Sequence, residues 1–166
     1  MATTVQYTQR FPAPPEAVWQ MLTDPEYIST KGIRSGSLEV SPDVEFHSAE
    51  TIIISRRKLP AKMPGFMKKF VGEVLVLNET QKWGQADAGD GARDGSFVID
   101  FGGQPMAFHG TLSLRAADEG TVVVTDGIMK STVPVVGRKA ESVAKEWCER
   151  YLRKEEEVAG EWLAAG

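Results

Sequence analysis

PVVGRKAESVAKEWCERYLRKEEEVAGEWL, residues Pro134 to Leu163, is one long helical pattern with no proline after its first residue. Val136, Ala140, Val143, Ala144, Trp147, Tyr151, Val158 and Trp162 recur in it at helical spacing. At about 100° per residue they form an apolar stripe, and most of the Glu, Lys and Arg residues fall opposite. With a rise of about 1.5 Å per residue the segment spans roughly 45 Å, longer than most helices of a small domain. Such a stripe needs a surface to cover, and nearly everything upstream reads as strand. The expected architecture is α+β, a curved antiparallel sheet closed over one long C-terminal helix.

The 166 residues are 42% hydrophobic and 25% charged. That composition suits a single soluble domain over 1–166 with room for a core or a cavity. A formal charge of −4 argues against nucleic acid as the main partner. Cys148 is the sole cysteine, which excludes an internal disulfide and fits a reducing compartment. The opening MATTVQYTQRF has no apolar run of the signal-peptide kind. No stretch approaches the ~20 apolar residues of a membrane span. The expectation is a cytoplasmic protein, monomer or homodimer, without a cofactor.

Along the chain, Val5, Tyr7 and Phe11 share one parity and define a half-buried first strand. PEAVWQMLTD begins a short helix at Pro15, and Asp24-Pro25 caps and starts a second that Gly32 ends. Strands follow. SLEV and AETIIISRR are divided by Pro42-Asp43, read as a turn. KFVGEVLVLNETQKWGQA is either one long bent strand or two strands meeting near Asn78. Asp87 to Gly95 is a hairpin tip, and SFVIDF, PMAFHGTLSLRA and TVVVTDGIMK complete the set, joined by short turns. Close strands with short turns pair antiparallel.

This order, with FPAPPEAVWQMLTDPEY, PGFMKKFVGEVLVLNETQKW and VPVVGRKAESVAKEW as its local marks, resembles the START-like (SRPBCC) helix-grip superfamily that includes the birch-pollen allergen. The last two stretches look closest to a bacterial subgroup of unassigned role. The resemblance covers essentially the whole chain. It implies six to eight strands wrapped around the C-terminal helix, two short helices after the first strand, and an apolar cavity between sheet and helix. Members of the superfamily bind lipids, sterols or polyketides, and some catalyse cyclisation or hydrolysis.

The residues themselves name no reaction. His47, His109 and Cys148 lack metal-ligand spacing, so no metal is expected. His109 reads as a surface residue and Cys148 as a partly buried, inert thiol. No GxSxG elbow, phosphate loop or dinucleotide fingerprint occurs. The expected ligand-binding set starts with the aromatics Trp19, Tyr27, Trp83 and Phe97. Phe101, Phe108, Val143, Trp147 and Tyr151 complete it; the plainer reading is that all of these simply fill a core. Asp126 shares parity with Val122, Val124 and Ile128, while Lys154 and Glu155 interrupt the helix stripe. Asp126 and Glu155 are therefore the candidates for acid or base catalysis in a water-poor pocket. The plainer reading turns Asp126 to solvent, with Val123 and Met129 inward, and lets the helix overhang the sheet at Lys154 and Glu155.

RRKLPAKMPGFMKK, Arg56 to Lys69, holds six basic residues and no acid, while the rest of the chain carries 13 basic and 23 acidic residues. Arg56, Arg57, Lys62, Met63 and Phe66 are read as a pocket lid or as contacts for an anionic head. Peripheral contact with an anionic membrane surface is a further reading, and a solvated loop is the plainer one. The first expectation is a binder or carrier of a hydrophobic small molecule: a lipid, fatty acid or polyketide-like compound. A cyclase- or hydrolase-type enzyme acting in the same cavity, and a protein-interaction module, are the alternatives.

Overall fold

Seven strands form one antiparallel sheet in the order β1-β7-β6-β5-β4-β3-β2 in the computed structural model, which describes residues 2–60, 72–133 and 136–166. The strands are β1 Ala2–Phe11, β2 Glu39–Phe46, β3 Glu50–Pro60, β4 Val74–Gly84, β5 Arg93–Asp100, β6 Met106–Ala117 and β7 Gly120–Ser131. Helices α1 Pro15–Leu22 and α2 Pro25–Arg34 follow β1, and α3 Gly137–Ala165 closes the described chain. This is the helix-grip architecture, α+β with a curved sheet around a long terminal helix.

Local chemistry explains most of the element boundaries. Pro15 and Pro25 occupy first-turn positions, where a missing N–H is harmless. The Asp24 side chain accepts from the Glu26 backbone N–H at 2.9 Å. Gly32 does not stop α2, which runs on to Arg34. Gly32 instead lets α2 approach β2 closely, since a Cβ there would sit 2.5 Å from Cγ2 of Val40. Pro42-Asp43 is not a turn either. Both residues lie inside β2, with Pro42 opposite Ser55. The strand is at the sheet edge, where a residue without an N–H breaks no ladder. The turn falls later, where the His47 N–H meets the Glu50 carbonyl at 2.9 Å.

β4 is one continuous strand through Asn78. Val74 to Leu77 pair only with β3, and pairing to β5 begins at Asn78 opposite Asp100. That continuity fixes parity, so Leu75, Leu77, Glu79, Gln81 and Trp83 share one face. Gly127 of β7 faces inward, and its missing side chain leaves room for the Phe97 and Phe108 rings, which meet edge to face at 4.7 Å.

α3 lies against β1, β7 and α2. Glu141, 1% exposed, accepts from Thr3 Oγ1 at 2.8 Å and from the Ser131 N–H at 3.0 Å. Farther along, Gln9 Nε2 donates to the Leu152 carbonyl at 2.9 Å. Val158 and Ala159 are buried, and the Trp162 ring meets Tyr27 at 5.5 Å. α3 therefore stays over the sheet at Glu155 and does not overhang it; Glu155 is 8% exposed.

Candidate functional site

Between the sheet and the first half of α3 is a cavity of about 580 Å³. The helix contributes Ala140, Val143, Ala144, Trp147 and Tyr151, and the sheet contributes Leu75, Leu77, Phe108 and Met129. The β5–β6 connection adds Phe101 and Pro105. Arg34, Arg150 and Lys154 border the cavity, and Arg150 is exposed there. Arg34 is ion-paired with Glu161, and Lys154 with Glu157 at 3.3 Å.

Deeper in the molecule lies a second chamber of about 80 Å³, with a polar wall that includes Gln9, Lys31, Ser55, Glu79, Gln81 and Glu155. Arg57, Tyr151 and Cys148 border both spaces. A chain of hydrogen bonds crosses this region. Trp83 Nε1 donates to Gln81 Oε1 at 2.9 Å, and Gln81 Nε2 donates to Glu79 Oε2 at 2.8 Å. Arg57 Nη1 donates to Glu79 Oε1 at 3.0 Å and to the Tyr151 hydroxyl at 3.2 Å. Beside it, Lys31 Nζ pairs with Glu155 at 2.5 Å.

Burial would discharge these groups, but their neighbours keep them charged. Burial pushes the Glu79 carboxyl up, yet the Arg57 and Lys31 charges and bonds from Gln81 and Arg57 hold it below the ordinary range. Burial likewise opposes the charges of Lys31 and Arg57. Glu155 outweighs it for Lys31, and Tyr151 with Glu79 outweighs it for Arg57, so both stay firmly protonated. Burial raises the Tyr151 hydroxyl even with Arg57 beside it. Burial, with Glu79 and Glu155, pushes the Cys148 thiol up to about 12, which makes it a poor nucleophile.

The residues expected from the sequence divide into groups. Phe101, Phe108, Val143, Trp147 and Tyr151 line the large cavity. Trp83 and Phe97 border the inner chamber. Tyr27 is buried under the second half of α3. Trp19 packs on Trp83 at 5.7 Å, with the Arg93 guanidinium 3.9 Å from its ring. Asp126 and His109 are exposed on the other face of the sheet. Arg56 also points outward, whereas Arg57 is 4% exposed and part of the buried cluster. Lys62, Met63 and Phe66 lie outside the described residues. Lys31, Ser55, Glu79 and Gln81 were not anticipated. For the last two the signal was parity, since an unbroken β4 puts them inward with Leu75 and Trp83. Among the described residues no cluster of His, Cys, Asp or Glu could hold a metal, and no helix is long and apolar enough to cross a membrane.

A family model described as "Protein of unknown function (DUF2505)" matches residues 6–163. This chain is a DUF2505 protein. The DUF2505 chain has the START-like helix-grip fold, and solved structures share it. TTHA0849 from Thermus thermophilus is 21% identical with a TM-score of 0.64, over 99% of both chains. A STAR-related lipid transfer protein from Xanthomonas axonopodis is 13% identical with a TM-score of 0.59, over 96% of this chain and 84% of its own. Ara h 8.0201 is 13% identical with a TM-score of 0.55, over 100% of both. No curated protein matches the sequence.

Proposed function

We propose that this DUF2505 protein binds, and carries, a hydrophobic small molecule in the cavity between its sheet and α3. One observation carries the reading: about 580 Å³ of space bordered mainly by apolar side chains, within the usual range for small-molecule sites of roughly 300–1,000 Å³. The fold is shared with a protein described as a STAR-related lipid transfer protein, which supports the same class of ligand. Phe101, Phe108, Val143, Trp147 and Tyr151 would contact the apolar body of the ligand. The cyclase or hydrolase alternative gains nothing from the two carboxylates first considered. Asp126 is exposed on the opposite face, and Glu155 is engaged by Lys31 at 2.5 Å.

The experiment is extraction of the purified protein with organic solvent and mass spectrometry of the extract, followed by titration with the neutral dye Nile red. Saturable dye binding is expected, and Val143→Phe, which puts a ring into the cavity, should weaken it by about tenfold or more. Absence of both a co-purifying compound and dye binding would defeat the proposal.

A further inference from the structure

The inner chamber is a polar end to an apolar cavity, and its charges are already balanced. Lys31 faces Glu155, and Arg57 faces Glu79. Two groups are left over. Arg57 Nε and Ser55 Oγ are buried and have no hydrogen-bond partner among the described residues. Arg57 is 4% exposed and so is Ser55. A buried donor without an acceptor is expensive, and native structures rarely leave one unmatched. The Tyr151 hydroxyl already accepts from Arg57, so its own proton is free for a further acceptor. Arg57 and Tyr151 stand where the two chambers share a wall.

We infer that this wall is the head-group site of the ligand, and that it selects an uncharged oxygen, a hydroxyl or a ketone or ester carbonyl, over a carboxylate. This rests on the cavity being a ligand site. Arg57 Nε and the Tyr151 hydroxyl supply donors, and Ser55 can donate or accept. What Arg57 Nε lacks is an acceptor, an oxygen with lone pairs. A carboxylate would meet that need but would add a third negative charge beside Glu79 and Glu155, against the two buried cations, Lys31 and Arg57, that face them among the described residues. An uncompensated charge in a buried site is strongly disfavoured. Among the described residues, the basic side chains at the rim do not change this balance, since Arg34 and Lys154 already pair with Glu161 and Glu157 and Arg150 is exposed. A ligand of this class would therefore enter tail outward, with its oxygen at the inner wall and its alkyl body along Phe101, Val143 and Trp147.

The test uses the intact protein and ligands of equal chain length. 1-Decanol, 2-decanone and decanoate each displace Nile red at pH 8, where decanoate is ionised. Decanol and decanone should compete at least about tenfold more strongly than decanoate. Glu79→Gln removes one of the two buried negative charges and should bring the decanol-to-decanoate ratio toward one, while Tyr151→Phe removes a donor and should weaken decanol and decanone by about fivefold; thermal melts establish that the variants are folded. The Tyr151→Phe change removes one hydroxyl, so its result stands even if Glu79→Gln unfolds. If Nile red binds and decanoate competes as well as decanol, the head-group inference is overturned and the cavity reading survives. If decanol binds Tyr151→Phe as well as wild type, the head group lies elsewhere and the inference also fails; it fails likewise if a large wild-type ratio is unchanged in a folded Glu79→Gln. If Nile red does not bind at all, the cavity reading itself fails.

Discussion

The two halves of α3 rest on one sheet and meet it in opposite ways. From Ala140 to Tyr151 the helix roofs a cavity of about 580 Å³, and Trp147 is only half-buried. Past the inner chamber, from Val158 to Trp162, it is packed solid. Val158 is 1% exposed, Ala159 is fully buried, and Tyr27 fills the space beneath Trp162. The difference comes from α2. It places Tyr27 and Lys31 under the second half, and only its last turn, at Arg34, borders the cavity under the first. An apolar stripe shows that a helix face is covered. How near the covering surface comes depends on side chains from other elements.

Four experiments press on that difference, from the largest expected effect to the smallest. Cys148 stands on the wall between the large cavity and the inner chamber. With its thiol pushed up to about 12 by burial, alkylation by iodoacetamide at pH 8 should be slowed on the order of a thousandfold relative to the unfolded chain. A rate near the unfolded one would mean that this wall is open to water. Next, Glu155→Ala leaves Lys31 buried without its partner. The expected loss is about 3–5 kcal/mol by urea unfolding, and Lys31→Met with Glu155→Leu should recover most of it. A loss under about 1 kcal/mol would show that this pair is hydrated.

The third contrast sets Tyr27→Ala against Trp147→Ala. Removing the buried ring should cost roughly 3–5 kcal/mol, and removing the half-buried one about 1 kcal/mol. Equal losses would erase the distinction between a hollow and a solid half. The smallest effect concerns acid. The folded Glu79 carboxyl is held below its ordinary range, so the unfolded chain binds the extra proton first. The stability this contributes is complete above about pH 4.3, the ordinary glutamate value, and is lost as pH falls through the lower folded one. Urea midpoints between pH 6 and 3 should therefore fall less steeply in Glu79→Gln, which starts lower at neutral pH because Arg57 loses its partner. An unchanged slope would mean that Glu79 is solvated and uncoupled from Arg57.

Local pattern decides structure where period and spacing are unambiguous. The long helix, the helix pair capped at Asp24 and the antiparallel strand set all follow from local pattern. Pro42-Asp43 is not the turn its residues suggest, because a proline signals a turn unless the strand is at a sheet edge, and edges are a property of the whole sheet. Asp126 lies as its plainer reading has it, on the solvent side, with Val123 and Met129 buried on the inner face of β7. The cluster of Lys31, Arg57, Glu79 and Glu155 was missed because its members come from α2, β3, β4 and α3, and nothing in the sequence aligns those four elements.

The sequence alone determined that a long amphipathic helix must lie on an antiparallel sheet, since hydrophobic period is a local property that any segment carries with it. Only the tertiary structure decided that the contact is hollow under Trp147, solid under Trp162, and ends at an ion-paired wall between them. Cavities and buried charge pairs depend on distances between elements remote in the chain, and those distances are set by how all the side chains pack at once.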